Sequence, residues 1–135
     1  MQPMNIGQAA ARSGLSAKMI RHYERIGLLP PAIRTHSGYR LYGPEALETL
    51  AFIKRARDLG FSLEAVGQLL ALKQDPARAS ADVQALAQRH IATLDERIQA
   101  LLALRSNLQA LVSQCQGNRS PQCAIIEGLT SPPVQ

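Results

Sequence analysis

The chain has 135 residues, room for one domain or a small domain with an appendage, and 46% of them are apolar, enough to build a core. No run of about 18 apolar residues occurs, which excludes a membrane-spanning segment. The net charge of +5 sits entirely in residues 1–58, with nine Lys/Arg against four acids, while residues 59–135 hold six of each, so a polyanion-binding module followed by a neutral one is expected.

The stretch "IGQAAARSGLSAKMIRHYERIGLL" predicts two short helices around a tight turn. The first covers roughly Gly7–Arg12 and stops at Ser13-Gly14, because Gly tolerates the conformation just past a helix end. Ser16 is placed to cap a second helix running to about Ile26, with Gly27 ending it. Met19, Ile20, Tyr23 and Ile26 share the buried face of that helix, and Lys18, Arg21 and Arg25 the other. Two helices joined by a short Gly turn, the second one basic, make a helix-turn-helix pattern, although a plain helical hairpin with solvated basic residues would read the same.

Pro30-Pro31 forbids continuation of helix. "AIRT" and "YRLY" then flank "HSG", which predicts a small β-hairpin carrying Arg34, Tyr39 and Arg40 as a basic, aromatic wing. Pro44 suits the first turn of a helix over 44–58, whose Leu47, Leu50, Phe52 and Ile53 supply core. Gly60 ends it, Ser62 caps another helix to about Lys73, and Asp75-Pro76 breaks the chain.

From Ser80 to about Gln116 there is neither Pro nor Gly, which predicts one helix on the order of 55 Å long. Ala87, Ile91, Leu94, Ile98, Leu101, Arg105, Leu108, Val112 and Cys115 follow alternating steps of four and three, the seam of a coiled coil. So long an apolar seam cannot be buried on a domain this small, so the expectation is a homodimer through this helix. An antiparallel pairing would set position 80 opposite position 115 of the partner; a parallel one would put the two Cys115 residues together.

The only two cysteines stand in "CQGNRSPQC", residues 115–123, with the apolar "AIIEGL" behind them as a helical turn able to pack back on the coil. A disulfide is sterically feasible, but the amino terminus lacks the order of a signal peptide, so a reducing, cytoplasmic setting is expected. Zinc prefers four ligands, and His36 and His90 lie far away along the chain. Two thiolates alone suit a soft monovalent ion such as Cu(I). Metal-free cysteines serving as small core residues are the plain alternative. No catalytic constellation is visible, since His22, His36 and His90 are scattered and lack carboxylate partners, so an enzyme is not expected.

Taken together, "MNIGQAAARSGLSAKMIRHYERIGLLPP", "SGYRLY", "RARDLGF" and "ASADV", followed by a long helix and two cysteines with seven residues between them, resemble the MerR family of transcriptional regulators. More narrowly they resemble its copper-efflux branch, and the resemblance runs from Met4 to Leu129. It implies a mainly α fold: an N-terminal winged helix-turn-helix domain, a long antiparallel coiled-coil dimerisation helix and a short C-terminal metal-binding loop. The corresponding segments are 4–75 for the DNA-binding domain, 76–79 for a hinge, 80–116 for the dimerisation helix, 115–129 for the loop and short helix, and 130–135 for a disordered tail.

By the same resemblance Cys115 and Cys123 match the metal thiolates, one ion of Cu(I), Ag(I) or Au(I) per loop, and Ser80 matches the position that separates monovalent from divalent sensors. Ser16, Lys18, Arg21, Tyr23, Arg34, Tyr39 and Arg40 match DNA-contacting positions of the recognition helix and wing. Ala124 departs from the Pro common in copper regulators, which leaves copper, silver and gold open. The implied partners are double-stranded promoter DNA, a second copy of the chain and RNA polymerase. Metal binding at the loop of one subunit is implied to act on the other's hinge and distort the bound promoter, activating metal-efflux genes. Two other readings are a redox switch through a Cys115–Cys123 disulfide and a divalent-metal sensor of the same family.

Overall fold

Asn5 opens the structure with a reciprocal cap: its side chain accepts from the Gln8 N–H at 2.8 Å, and the Gln8 side chain accepts from the Asn5 N–H at 3.0 Å. Two of the donors that a helix start leaves unpaired are satisfied at once. This computed structural model describes residues 3–130, so the last five residues of the expected tail lie outside the described residues. Thr130 itself belongs to a helix, and its hydroxyl donates to the Ile126 carbonyl at 2.7 Å.

Six α-helices and one short hairpin follow in chain order among the described residues: α1 (Ile6–Ser13), α2 (Ala17–Arg25), β1 (Ile33–Arg34), β2 (Arg40–Leu41), α3 (Pro44–Asp58), α4 (Leu63–Gln74), α5 (Ser80–Gln114) and α6 (Ala124–Thr130). None of the helices is long and apolar enough to cross a membrane. The chain divides into two compact units, with the boundary inside α5 between Leu86 and Ala87.

In the first unit, Gly14 ends α1 at φ +76°, a left-handed conformation that a side chain disfavours, and α2 turns away from there. Ser16 caps α2 by accepting from the Met19 N–H at 3.1 Å. Ser16→Ala is expected to cost about 1 kcal/mol of stability, read as a lower urea midpoint with unchanged slope. α1 packs on α2 and α3, and α3 packs on α4. Their facing side chains, Ala9, Ile20, Tyr23, Leu50, Ile53 and Val66 among them, are almost wholly buried, as is Leu29 in the connection after α2. Each large apolar side chain removed from water contributes roughly 1.5–3 kcal/mol, so this cluster holds the short helices together.

The hairpin is antiparallel, with Ile33 opposite Leu41 and Arg34 opposite Arg40. Thr35 and Gly38 close its turn: the Thr35 N–H donates to the Tyr39 carbonyl at 2.9 Å, and Gly38 stands at φ +85°. A further bridge pairs Met4 with Tyr42, each N–H donating to the other's carbonyl at 2.9 and 2.7 Å. Residues preceding α1 therefore extend the wing, a pairing across 38 positions that local pattern does not announce.

The segment 76–79 forms a tight turn tied to Asp75, whose carboxylate accepts from the Ala77 N–H at 2.8 Å, and to Lys73, whose carbonyl accepts from the Arg78 guanidinium at 2.9 Å. The opening turns of α5 are anchored to this unit by Leu86, only 5% exposed within the core cluster.

In the second unit α5 continues to Gln114, two residues short of the expected end. Its last turn tightens, because the Cys115 N–H is shared between the carbonyls of Leu111 and Val112 at 3.2 and 3.1 Å, and Gly117 then takes φ +64°. Ile91, Ile98, Leu101, Leu108 and Val112 are each more than half exposed, which leaves the apolar seam of α5 uncovered within one chain.

Candidate functional site

Two places carry the chemistry expected from the sequence. The first is the outward face of α2 and the hairpin beside it. Lys18, Arg21 and Arg25 are exposed on α2, on the side opposite buried Ile20 and Tyr23. Ser16 is also exposed, but its hydroxyl oxygen is engaged in the helix cap. Tyr23 departs from the expected set of DNA contacts: at 2% exposure its ring is part of the core and offers little surface to a phosphate. On the hairpin, Tyr39 stands 71% exposed, and Arg34 donates through Nη1 to the Gly38 carbonyl at 3.1 Å, which stiffens the turn.

Arg40 is half-buried and turned inward, its Nε 3.4 Å from Glu24 Oε2 on α2. That Nε is buried without a hydrogen-bond partner, so the contact is charge to charge. The other carboxylate oxygen of Glu24 accepts from the Tyr42 hydroxyl at 3.2 Å and from the Ala32 N–H at 3.2 Å. Burial raises the Tyr42 phenol above its usual range, and the neighbouring Glu24 charge adds to it. One carboxylate thus joins the recognition helix to both edges of the wing. Sequence reading missed this role, although a signal existed: Glu24 is the single acid among residues 1–44. An isolated acid on a basic helix is a candidate for an internal partner.

The second place is the thiol pair. Cys115 is held by the last turn of α5, and Cys123 lies just before α6, its carbonyl accepting from the Glu127 N–H at 3.0 Å. Between them the loop folds on its own side chains. Asn118 Oδ1 accepts from the Ser120 N–H at 2.9 Å and Ser120 Oγ from the Gln122 N–H at 3.3 Å. The two Sγ atoms are 3.2 Å apart, close but unbonded, since a disulfide needs about 2.05 Å. Both cysteines are half-buried. The Ile126 N–H at the start of α6 lowers the Cys123 thiol below its ordinary value, with help from the Cys115 side chain and the Ile125 N–H. More thiolate is therefore present near neutral pH than in an unstructured chain, and thiolate is the form that binds metal.

Among the described residues no group of three or more His, Cys, Asp or Glu side chains gathers to hold an ion. The donor set in one chain is two sulfurs, which fits a soft ion of low coordination number and does not fit a structural zinc centre. Ser80 is the exposed first residue of α5, in the first unit.

A wing beside a helix-turn-helix is the architecture of a DNA-binding regulator, and the comparisons narrow it. Residues 4–73 match the family model described as MerR HTH family regulatory protein, and residues 47–111 match that described as MerR, DNA binding. The chain belongs to the MerR family, whose members are DNA-binding regulators and not enzymes. It is 50% identical to the heavy metal-dependent transcription regulator 2 of Rhizobium meliloti, over 98% of this chain and 90% of that one. It is 41% identical to the HTH-type transcriptional regulator CueR of Escherichia coli, over 94% of each. Among solved structures, the transcription regulator PbrR691 of Ralstonia metallidurans in complex with lead(II) superposes with a TM-score of 0.79 at 33% identity, covering 93% of this chain and 98% of that one.

Proposed function

We propose that this chain is a metal-responsive transcriptional regulator that binds promoter DNA as a homodimer and takes one soft monovalent ion per Cys115–Cys123 loop. The observation that carries the reading is the pair of half-buried sulfurs 3.2 Å apart, with no third His, Cys, Asp or Glu gathered beside them among the described residues. Cu(I) is the foremost ion, with Ag(I) and Au(I) sharing its donor chemistry. Similarity to a heavy metal-dependent regulator and to CueR supports metal response in general. The lead(II) complex of PbrR691 keeps a divalent sensor as the rival.

Lys18, Arg21 and Arg25 would face the major groove from α2, while Arg34 and Tyr39 hold phosphates from the wing, positioning contacts that carry no sequence information by themselves. By the family resemblance Ser80 matches the position that supplies a third thiolate in divalent sensors, and serine withholds it. Activation of metal-efflux genes then follows from distortion of the bound promoter when the thiol loop closes on its ion. Bending a DNA site of about 20–30 bp by 40–90° costs of order 1–6 kcal/mol. An ion must favour the activating state by about 5.5 kcal/mol to move a 1:99 equilibrium to 99:1, so the preference required is comparable to the DNA distortion it drives.

The test is a titration of the reduced dimer with Cu(I), Ag(I), Hg(II) and Zn(II) under thiol competition, with run-off transcription measured at each. The expected outcome is one monovalent ion per loop and induction by Cu(I) and Ag(I). Induction by Hg(II) or Zn(II) alone would replace this reading with the divalent one.

A further inference from the structure

The hydrogen bonds within the loop involve Gln116, Asn118, Ser120 and Gln122, and among the described residues the sulfur–sulfur contact itself is what joins its two ends. α6 returns onto the end of α5. At that crossing stands Gly128. A Cβ placed on it would lie 2.8 Å from Leu111 Cδ2, with Leu111 Cδ1 at 3.5 Å and Cγ at 3.8 Å. The isobutyl group of Leu111 therefore covers the bare face of the glycine, at a separation that carbon atoms do not tolerate.

Leu111 also sits at the other end of the arrangement, since its carbonyl accepts from the Cys115 N–H at 3.2 Å. Cys123 in turn leads directly into α6, with its carbonyl bonded to Glu127, the neighbour of Gly128. One turn of α5 thus fixes Cys115 through its backbone and α6 through its side chain.

We propose that Gly128 is a positioning residue for the thiol pair: the close approach it permits to Leu111 sets the separation of the two sulfurs. A glycine at the third position from the end of a seven-residue helix weakens that helix, so local propensity does not account for it. An added methyl at this position leaves two ways out. Either the tip of the Leu111 side chain swings off α6 or α6 lifts from α5, and both loosen the seat of the helix that Cys123 leads into. The consequence for ion affinity rests on the reading of the pair as a metal site; the consequence for sulfur separation does not.

The test uses the reduced, metal-free full chain at fixed pH with oxidised glutathione. A thiolate of the pair attacks that disulfide, forming a mixed disulfide and releasing one glutathione. The second cysteine then displaces the other glutathione and forms the Cys115–Cys123 bond, so that two thiols are oxidised and one glutathione disulfide is reduced to two thiols. The decay of the mixed disulfide, followed by mass spectrometry on acid-quenched samples, reads how well the two sulfurs are placed. Gly128→Ala is expected to slow that closure roughly tenfold, well within what a misplacement on the order of 1 Å does to a proximity-driven step. Adding Leu111→Ala, which removes the opposing methyls, is expected to restore it.

Alanine is the stronger helix former, so a role confined to helix propensity predicts faster closure in Gly128→Ala. Closure as fast as or faster than wild type overturns the proposal, as does a double variant no faster than Gly128→Ala alone. Ag(I) affinity is measured on the same proteins. Slowed closure with unchanged affinity leaves the role of Gly128 standing and removes the metal from the pair.

Discussion

Replacing either cysteine by serine is expected to abolish the transcriptional response to metal while leaving operator binding intact. The two thiols belong to the second compact unit and the exposed basic residues of α2 and the wing to the first, so the substitution removes no DNA contact. Loss of half the donor set should weaken ion binding by at least about a hundredfold, since even groups that only orient a ligand are worth 10- to 100-fold. The two variants are not equivalent. In Cys115→Ser the remaining Cys123 keeps the Ile126 and Ile125 N–H groups that favour its thiolate, so residual ion binding survives there first. Cys123→Ser removes the anion those groups stabilise. Fluorescence anisotropy with labelled operator and run-off transcription with Cu(I) or Ag(I) separate the two properties. Full induction by both variants would remove the site from these cysteines.

Glu24→Ala is expected to be the most damaging single change outside the apolar core. It leaves the Arg40 Nε buried without its opposing charge, the Tyr42 hydroxyl without its acceptor and the Ala32 N–H unpaired. The pair is only partly buried, with side-chain exposures of 31% and 15%, so the cost falls below the 3–5 kcal/mol of a fully buried pair and is expected at about 2 kcal/mol. Glu24→Gln retains an oxygen for Tyr42 and Ala32 and loses only the charge opposite Arg40, so roughly half that penalty is expected. Urea midpoints must be compared at one protomer concentration, because assembly contributes to apparent stability. A loss below about 1 kcal/mol in Glu24→Ala would mean that water replaces the carboxylate at little cost. Operator affinity should fall along with stability, since the wing loses its attachment to α2.

Much of the architecture was legible because punctuation residues mark it. Pro44 and the Gly60 stop bracket α3, and Ser16 and Ser62 cap α2 and α4 through the hydrogen bonds their residue type implies. Gly38 marks the hairpin turn by its positive φ. Those signals act within four or five positions, so one sequence suffices to read them. The features that escaped are non-local. Nothing near Met4 foretells its ladder with Tyr42, and nothing near Leu86 shows that it belongs to the core of the first unit. Glu24 reads as a surface acid until Arg40 and Tyr42 are brought to it across the fold.

The thiol pair divides in the same way. That the segment 115–123 makes a compact loop follows from Gly117 and Pro121. The sulfur separation of 3.2 Å and the approach of Gly128 to Leu111, 17 positions apart, are not announced by any local pattern. Tyr23 shows the converse, two sequence readings that differ over one residue. The resemblance puts it among the DNA contacts, the 3/4 spacing of its own helix puts it on the buried side, and in the structure its ring is buried.

Because the bridge between Met4 and Tyr42 is antiparallel, Asn5 lies on the Leu41 side of Met4 and Pro3 on the Gly43 side, so Met4 fastens the base of the wing and not its tip. Met4→Pro would remove the N–H that donates to the Tyr42 carbonyl and free that edge of the hairpin.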